Sequence, residues 1–528
     1  MRLKKLLLTH TANPTELAGK ILILLAIGFG FFSRVVSVFQ YNTFDVGFSP
    51  DQVRDANIYM QMWQGVWPSL GPASSIGGFN TLPLYYYLVF PFTIFGPEPV
   101  FQALPNALFS FLSIPLLIYL VYQLLENLPP TKRLFLAGLA GFWYSSLFVD
   151  IYLNTYEWNP SPIPFFLICF ALLYQFQLEG NASTKLQILS WAAYGVVLAI
   201  LASLHSSTMF VMPVVFIASS ILFIAKNRKR SRQCLWPLIS VISAIVCLLP
   251  YWKGEVSRGW VNTKEILLTV FNSNREVQAY TPWEKIGRIL FNYAELGRQA
   301  YVLNASWLFT IIAITFLFLV LILGSFKLKG NKTIFVFLAF TWLVYFYAAS
   351  NHTGVYPIHF KMPILFSPII FTVLSLAAFD TNSQSKTLVD NITIFSLLLG
   401  IVVSIGINLN MDYEYMSGKY GANRVITTQE MVEVLNQLPA GSTICDRNIR
   451  GWRKVNHPYR YLDKYITKRS FKITAECQPG SYALHSKFYY QFLEDNLWPA
   501  LKVAPTKPFS GNATLLWETP TTSVYRFQ

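Results

Sequence analysis

Residues 21–39 read ILILLAIGFGFFSRVVSVF, an apolar run broken by a single charge, Arg34. Coiled into an α-helix, a run of this length reaches across the roughly 30 Å hydrocarbon core of a bilayer. The polar stretch after it has no A-x-A-like cleavage site, so the run reads as an uncleaved anchor rather than a signal peptide. Arg34 is expected to snorkel to the outer interface a turn or two away. Runs of the same character recur at Val100 to Leu124, Leu134 to Asp150, Ser161 to Leu178, Leu186 to Leu204, Thr208 to Ala225, Leu235 to Tyr251, Leu303 to Leu323, Thr333 to Ala349, Met362 to Ala378 and Ile392 to Ile407. Together they predict about eleven spans. Composition agrees, with 53% hydrophobic and 13% charged residues and a mean hydropathy of +0.41, a balance suited to a bilayer.

The formal net charge of +15 invites a nucleic-acid reading, but the basic residues sort by loop. Arg2, Lys4, Lys5 and Lys20 precede the first span, and Lys132 and Arg133 follow the second. Lys226, Arg228, Lys229, Arg230 and Arg232 follow the sixth, and Lys327, Lys329 and Lys332 the eighth. Alternate short loops thus carry the Lys/Arg excess and belong in the cytoplasm, as does the amino terminus. Nucleic acid is not an expected partner; membrane lipid is.

Three segments too polar for membrane, residues 40–81, 252–302 and everything after Asn408, then fall on the outer side. The expected division is a membrane domain, 1–408, and an extracytoplasmic soluble domain, 409–528. In the tail, Thr427 to Leu438 has a helical pattern, while Ser442 to Cys445, Ala513 to Glu518 and Ser523 to Phe527 read as strands. The expected fold class is therefore an all-α polytopic membrane domain with extracytoplasmic juxtamembrane helices and a small C-terminal α/β soluble domain. Of five cysteines, Cys445 and Cys477 lie in this outer tail, where either a disulfide or two free thiols fits the spacing.

Walker, dinucleotide, HExxH, GxSxG and Cys/His metal motifs are missing from the sequence, which removes support for ATP-driven transport, hydride transfer and zinc hydrolysis. Carboxylates near a membrane surface remain. Ser49 and Pro50 read as a helix start, Asp51 falls in the first turn, and Gly65 ends the helix. Val53, Ala56, Met60 and Trp63 form its apolar stripe, so it is expected to lie on the membrane surface with Asp51, Arg54 and Asp55 on the other face. Asp45 precedes this helix, and Glu157 sits beside Trp158 and Asn159 in the second outer loop. A carboxylate there can act as general base towards a hydroxyl, and a neighbouring guanidinium can hold phosphate oxygens. The plain alternative is a solvated acidic helix face.

The order of these features resembles the C-type glycosyltransferase superfamily, in its protein O-mannosyltransferase and lipid A aminoarabinose transferase branch. The matching stretches are Asp51-Gln52-Val53-Arg54, Gly65-Val66-Trp67-Pro68 and Thr81-Leu82-Pro83-Leu84-Tyr85-Tyr86-Tyr87. Further along, Trp158-Asn159-Pro160-Ser161 and Tyr356 to Pro363 are similar to the same group. Two positions depart from the pattern. Gln52 stands where the branch has a second acid, and Thr81 where it has a lysine. Lys361 with His359 is the candidate replacement for that lysine, interfacial anchoring being the alternative for this pair.

The resemblance implies inverting transfer of a sugar from a polyprenyl-phosphate donor of undecaprenyl or dolichyl type to a glycolipid, polysaccharide or protein acceptor outside the cytoplasm. Its setting would be a bacterial-type plasma (inner) membrane. Asp51 would be the general base, with Asp55 its nearest rival. Arg54, Lys361 and His359 would meet the donor phosphate, and Asp45, Glu157, Asn159, Tyr85 and Tyr86 the substrates. No cofactor is required; a divalent cation is compatible with the carboxylates but not indicated by their spacing. A transporter or flippase of lipid-linked saccharides is the second reading, disfavoured because the spans look nearly free of charge. A structural subunit that uses its outer domain for protein contacts is the third.

Overall fold

In a computed structural model the chain is described at residues 13–43, 48–74, 77–180, 182–228, 233–271, 280–303, 306, 310, 332–350, 358–380, 387–416, 426–447, 456–492, 501–507, 509 and 512–528. Among these residues, six helices are long and apolar enough to cross a membrane. They are α1 (Pro14–Tyr41), α4 (Pro99–Leu124), α8 (Thr184–Leu204), α9 (Ser206–Asn227), α15 (Ile358–Phe379) and α16 (Leu388–Met416). Between them lie α2 (Pro50–Trp63), α3 (Leu84–Phe95), α5 (Pro130–Ser145), α6 (Phe148–Leu153) and α7 (Ile163–Glu179). The chain is an integral membrane protein, and the boundary expected at residue 408 falls inside α16.

Several expected spans differ in form. The run from Leu235 to Tyr251 is broken into α10 (Gln233–Cys247) and α11 (Leu249–Ser257), bent by 58°. Pro250 sits at the break, where its missing N–H and ring displace the helical hydrogen bond. The run expected to reach Asp150 ends at Ser145 in α5, and Asp150 lies on the separate turn α6. The run from Leu303 to Leu323 lies almost wholly outside the described residues.

Helix packing in the membrane part uses small residues. A Cβ on Gly19 would lie 2.8 Å from the Phe135 nitrogen, so α1 and α5 meet backbone to backbone. The helix α1 passes through a π-turn at Phe32–Val36, which carries Arg34. Arg34 does not snorkel: it is fully buried, and its Nη2 donates to Asp150 Oδ2 at 2.8 Å. Its Nε also donates to Ser110 Oγ at 2.6 Å, and its Nη1 to the Ser145 carbonyl at 2.8 Å. A guanidinium this far from water needs every donor engaged, and the neighbouring helices supply the acceptors. The spans are therefore not free of ionisable groups: besides Arg34 in α1, Lys361 in α15 and Asp412 in α16 are fully buried.

Helices α12 (Val261–Phe271) and α13 (Pro282–Leu296) follow the bent pair, and α14 (Lys332–Ser350) precedes α15. The tail folds around α17 (Thr428–Gln437), α18 (Pro458–Leu462) and the strands β1 (Thr443–Cys445), β2 (Lys472–Thr474), β3 (Tyr482–Ser486), β6 (Ala513–Glu518) and β7 (Thr522–Phe527). These form one sheet in the order β2-β1-β3-β7-β6, while β4 (Phe488–Phe492) and β5 (Leu501–Pro505) pair separately. Strand β1 runs parallel to β2 and β3, and β7 antiparallel to both of its neighbours. Cys445 and Cys477 are disulfide-bonded, with a Cα–Cα distance of 5.1 Å.

Candidate functional site

The helix α2 starts as its sequence dictates. Ser49 has the extended conformation of an N-cap residue and Pro50 takes the first helical position, but the Ser49 hydroxyl bonds the Gln52 side chain instead of a backbone N–H. Gly65 closes the helix with φ +84°, a left-handed conformation that favours glycine. Val53, Ala56 and Met60 are buried as the stripe predicts. Trp63 is not: half of it is exposed, and its Nε1 donates to Thr93 Oγ1 at 2.9 Å on α3.

The larger departure is Asp55, expected on the solvent face with Asp51 and Arg54. It is buried, because α3 brings the Tyr86 hydroxyl to within 2.7 Å of Oδ1. Arg54 folds back onto the same carboxylate, with Nε 2.6 Å from Oδ1 and Nη2 2.9 Å from Oδ2. Its remaining arm, Nη1, donates to Asp51 Oδ1 at 3.2 Å. Asp51 itself is 60% exposed, against 4% for Asp55 and 19% for Arg54. Burial presses the Asp55 carboxyl upward in pKa against the pull of the guanidinium. Burial also works against the charged form of Arg54, but Asp55 outweighs it and holds the guanidinium more firmly protonated than usual.

One turn further along, Tyr59 donates to Glu157 Oε1 at 2.7 Å, and the Gln52 amide reaches the Glu157 carbonyl at 3.0 Å. Glu157 is thereby drawn under α2 and buried. Burial first, and then the charge of Asp55, push its carboxyl well above the usual range. Asn106 of α4 completes this layer, donating to the Tyr85 hydroxyl at 3.1 Å and to the Trp158 carbonyl at 2.9 Å. Asn159 is buried, and its amide bonds the Leu204 carbonyl at the end of α8. Asp51, Arg54, Asp55, Tyr85, Tyr86 and Glu157 therefore gather around α2 and α3, while Asn159 is bonded to the end of α8. Asp45 lies outside the described residues.

Lys361 and His359 stand apart from the first-loop acids. Lys361 is fully buried, its Nζ bonded to Glu295 Oε2 and, at 2.8 Å, to Gln299 Oε1. His359 meets the Trp158 ring at 4.5 Å and the His205 ring at 5.7 Å, which brings it to the edge of the Glu157 loop. The first loop is also braced by α11 and α12: Arg258 Nη1 donates to Ser69 Oγ at 2.6 Å, and Asn262 bonds the Asn80 backbone at 2.6 and 3.1 Å. Among the described residues, no group of three or more His, Cys, Asp or Glu side chains is arranged to hold a metal ion.

The sequence reading missed Tyr59, Asn106 and the brace from Arg258. Tyr59 had one signal, a hydroxyl-bearing ring one turn after Asp55 on an otherwise apolar stripe. The others are joined to the site only by the fold.

No family model matches the sequence, and no curated protein matches it. Solved structures do match. ArnT from Cupriavidus metallidurans in the apo state superimposes with a TM-score of 0.54 at 10% identity, over 95% of this chain and 97% of that one. The same protein bound to undecaprenyl phosphate gives 0.51 at 9%, over 96% and 97%. The archaeal oligosaccharyltransferase AglB from Archaeoglobus fulgidus, in complex with an inhibitory peptide and a dolichol-phosphate, gives 0.44 at 10%, over 86% of this chain and 64% of that one. The chain shares the fold of ArnT along nearly its whole length.

Proposed function

We propose that this protein is an inverting glycosyltransferase that takes its sugar from a polyprenyl-phosphate donor. The observation that carries the reading is an open carboxylate, Asp51, within 3.2 Å of a guanidinium that a buried carboxylate, Asp55, holds in place. The ArnT fold supports the same reading, and ArnT was solved with undecaprenyl phosphate bound.

In this mechanism the acceptor hydroxyl oxygen attacks the anomeric carbon as the bond from that carbon to the phosphate oxygen breaks. Asp51 takes the hydroxyl proton, and the polyprenyl phosphate leaves with its charge facing Arg54. Asp55, itself bonded by Tyr86, holds the guanidinium, so that little reorganisation is needed as phosphate charge develops. Glu157 anchors Tyr59 and through its carbonyl Gln52, fixing the depth of α2. Tyr85 and Asn159 set the loop behind it. His359 is the second candidate for donor contact, whereas Lys361 reaches phosphate only by leaving Glu295. Our reading places the amino terminus in the cytoplasm, with the site and the tail outside a plasma membrane, and the disulfide suits that side.

The test is mass spectrometry of lipids that co-purify with the protein, followed by transfer from the lipid found. A polyprenyl-phospho-sugar that is consumed by wild type and spared by Asp51→Asn supports the proposal. A lipid-linked saccharide that crosses vesicle bilayers without being cleaved would replace it with transport.

A further inference from the structure

The tail holds the first loop on both sides of residues 44–47. At the near side, Thr428 N donates to the Asn42 carbonyl at 3.0 Å and Thr428 Oγ1 to Asn42 Oδ1 at 2.9 Å, while Thr43 and Thr427 form an antiparallel bridge. Asn42 is tied in turn to the loop that carries Glu157, its amide donating to the Thr155 carbonyl at 2.9 Å. At the far side, the Tyr461 ring of α18 meets Phe48 edge-on at 5.3 Å. The Tyr461 hydroxyl donates to the Pro97 carbonyl at 2.7 Å and accepts from the Gln102 amide at 2.9 Å. Phe48 directly precedes the Ser49–Pro50 start of α2, so Asp51 lies three residues from a residue held by the tail.

Each anchor is fixed by its own bonds within the tail. Thr427 is the N-cap of α17 in a capping box with Glu430, which fixes Thr428 at the first helical position. Tyr461 sits on a turn capped by His457, whose ring accepts from Tyr459 N at 3.3 Å and bonds Asp446 at 2.9 Å. Asp446 adjoins Cys445, so the cap hangs on the disulfide-linked sheet. Asp463 then binds the backbone nitrogens of Arg469 and Phe471 at 2.8 and 2.7 Å, locking the turn after α18.

We propose that the extracytoplasmic tail is a clamp on the candidate catalytic loop, with Thr428 and Tyr461 as positioning residues that set where α2, and with it Asp51, sits. The inference rests on the transfer reading for its kinetic consequence but not for its structural one. Rigid positioning matters because a displacement of about 1 Å at a reacting group costs on the order of 10²-fold in rate.

The experiment compares wild type, Tyr461→Ala, Tyr461→Phe and Thr428→Val by hydrogen exchange of the α2 amides in the full-length protein, and by kcat and donor Kd. Tyr461→Ala is expected to speed α2 exchange and to lower kcat about 10–100-fold with donor Kd within about 3-fold of wild type. Tyr461→Phe, which keeps the ring against Phe48, is expected to recover most of both. Thr428→Val should loosen α2 from the other anchor, which keeps the test decisive if Tyr461→Ala fails to fold. Unchanged α2 exchange in both Tyr461→Ala and Thr428→Val overturns the clamp, whatever the activity. Faster α2 exchange in a protein that transfers no sugar keeps the clamp and rejects the transfer reading instead.

Discussion

Two Arg–Asp pairs in this protein each join a guanidinium to a carboxylate through Nε and Nη2, and they differ in how they are enclosed. Arg34 and Asp150 are both closed to solvent, at 0% and 1% exposure, and helices on every side supply acceptors to the guanidinium. Arg54 spans both oxygens of Asp55, but it keeps 19% exposure and turns its remaining arm to the open Asp51. A pair enclosed on all sides can only hold helices together, since its charges have no further partner to meet. A pair with one open edge presents a fixed positive group beside a free carboxylate, which is what phosphate departure with proton removal needs. Substitutions in the two pairs should therefore fail in different ways.

The largest effect is expected in the enclosed pair. Arg34→Ala leaves Asp150 buried without its counter-charge, which costs about 3–5 kcal/mol. The thermal unfolding midpoint in detergent should fall steeply, and the double variant Arg34→Met/Asp150→Leu, which removes both charges, should regain part of the loss. A single variant as stable as wild type would show the node to be ornamental. At the open edge, Asp51→Asn should leave the unfolding midpoint where it is while turnover drops by about 10²–10⁴-fold, the usual contribution of a positioned base. Asp55→Asn is expected to do both kinds of damage, since it loosens Arg54 as well. An active Asp51→Asn protein beside a stable but dead Asp55→Asn protein would exchange the two roles.

Arg54→Lys is a smaller perturbation of the same edge. A lysine keeps the charge but cannot span both oxygens of Asp55 while reaching Asp51, because its donors radiate from one atom instead of a planar fork. Donor Kd should rise by about 10-fold, a bidentate contact reduced to a single one. Full donor affinity with lysine would mean that the fork is not what the phosphate meets.

How much of this contrast the sequence disclosed follows from where each feature is encoded. Spans such as α4, α8, α9 and α16 were legible because the bilayer demands long apolar helices and hydropathy reports that directly. Pro50 and Gly65 marked α2 because caps are local chemistry. The pairing of Arg34 with Asp150 spans 116 residues and has no local signature, so a lone arginine near a helix end read as an interfacial anchor. Asp55 read as exposed because helical periodicity assigns faces, whereas the Tyr86 hydroxyl that draws it inward comes from another helix. Strands β2 to β5 are short and interrupted by charge or irregular alternation, and the docking of the tail onto Asn42 and Phe48 is purely a product of the fold.

The smallest effect separates the buried acid beneath α2 from the buried acid that is paired. Glu157 lies under α2, where burial and the nearby charge of Asp55 outweigh the pull of Arg54 and raise its carboxyl well above the ordinary value of 4.5. As pH rises past that ordinary value, the unfolded chain releases the proton while the folded chain keeps it. The unfolded state then binds fewer protons, and stability falls with pH until the folded carboxyl also ionises, at a slope of up to about 1.4 kcal/mol per pH unit. The contribution of Glu157 is thus complete at acid pH and lost on going alkaline, the reverse of a salt-bridged carboxylate. Glu157→Gln keeps the shape, does not titrate and can accept from Tyr59, so it should flatten the decline in unfolding midpoint between pH 5 and 9 while leaving turnover within a few-fold of wild type. The comparison is a difference between two melting series, so titration of other groups cancels. If the glutamine variant declines as steeply as wild type, the carboxyl of Glu157 is not raised in the folded protein, and the burial argument beneath α2 fails. If it flattens the curve but also abolishes turnover, Glu157 exchanges protons in the reaction and joins Asp51 as a reacting group.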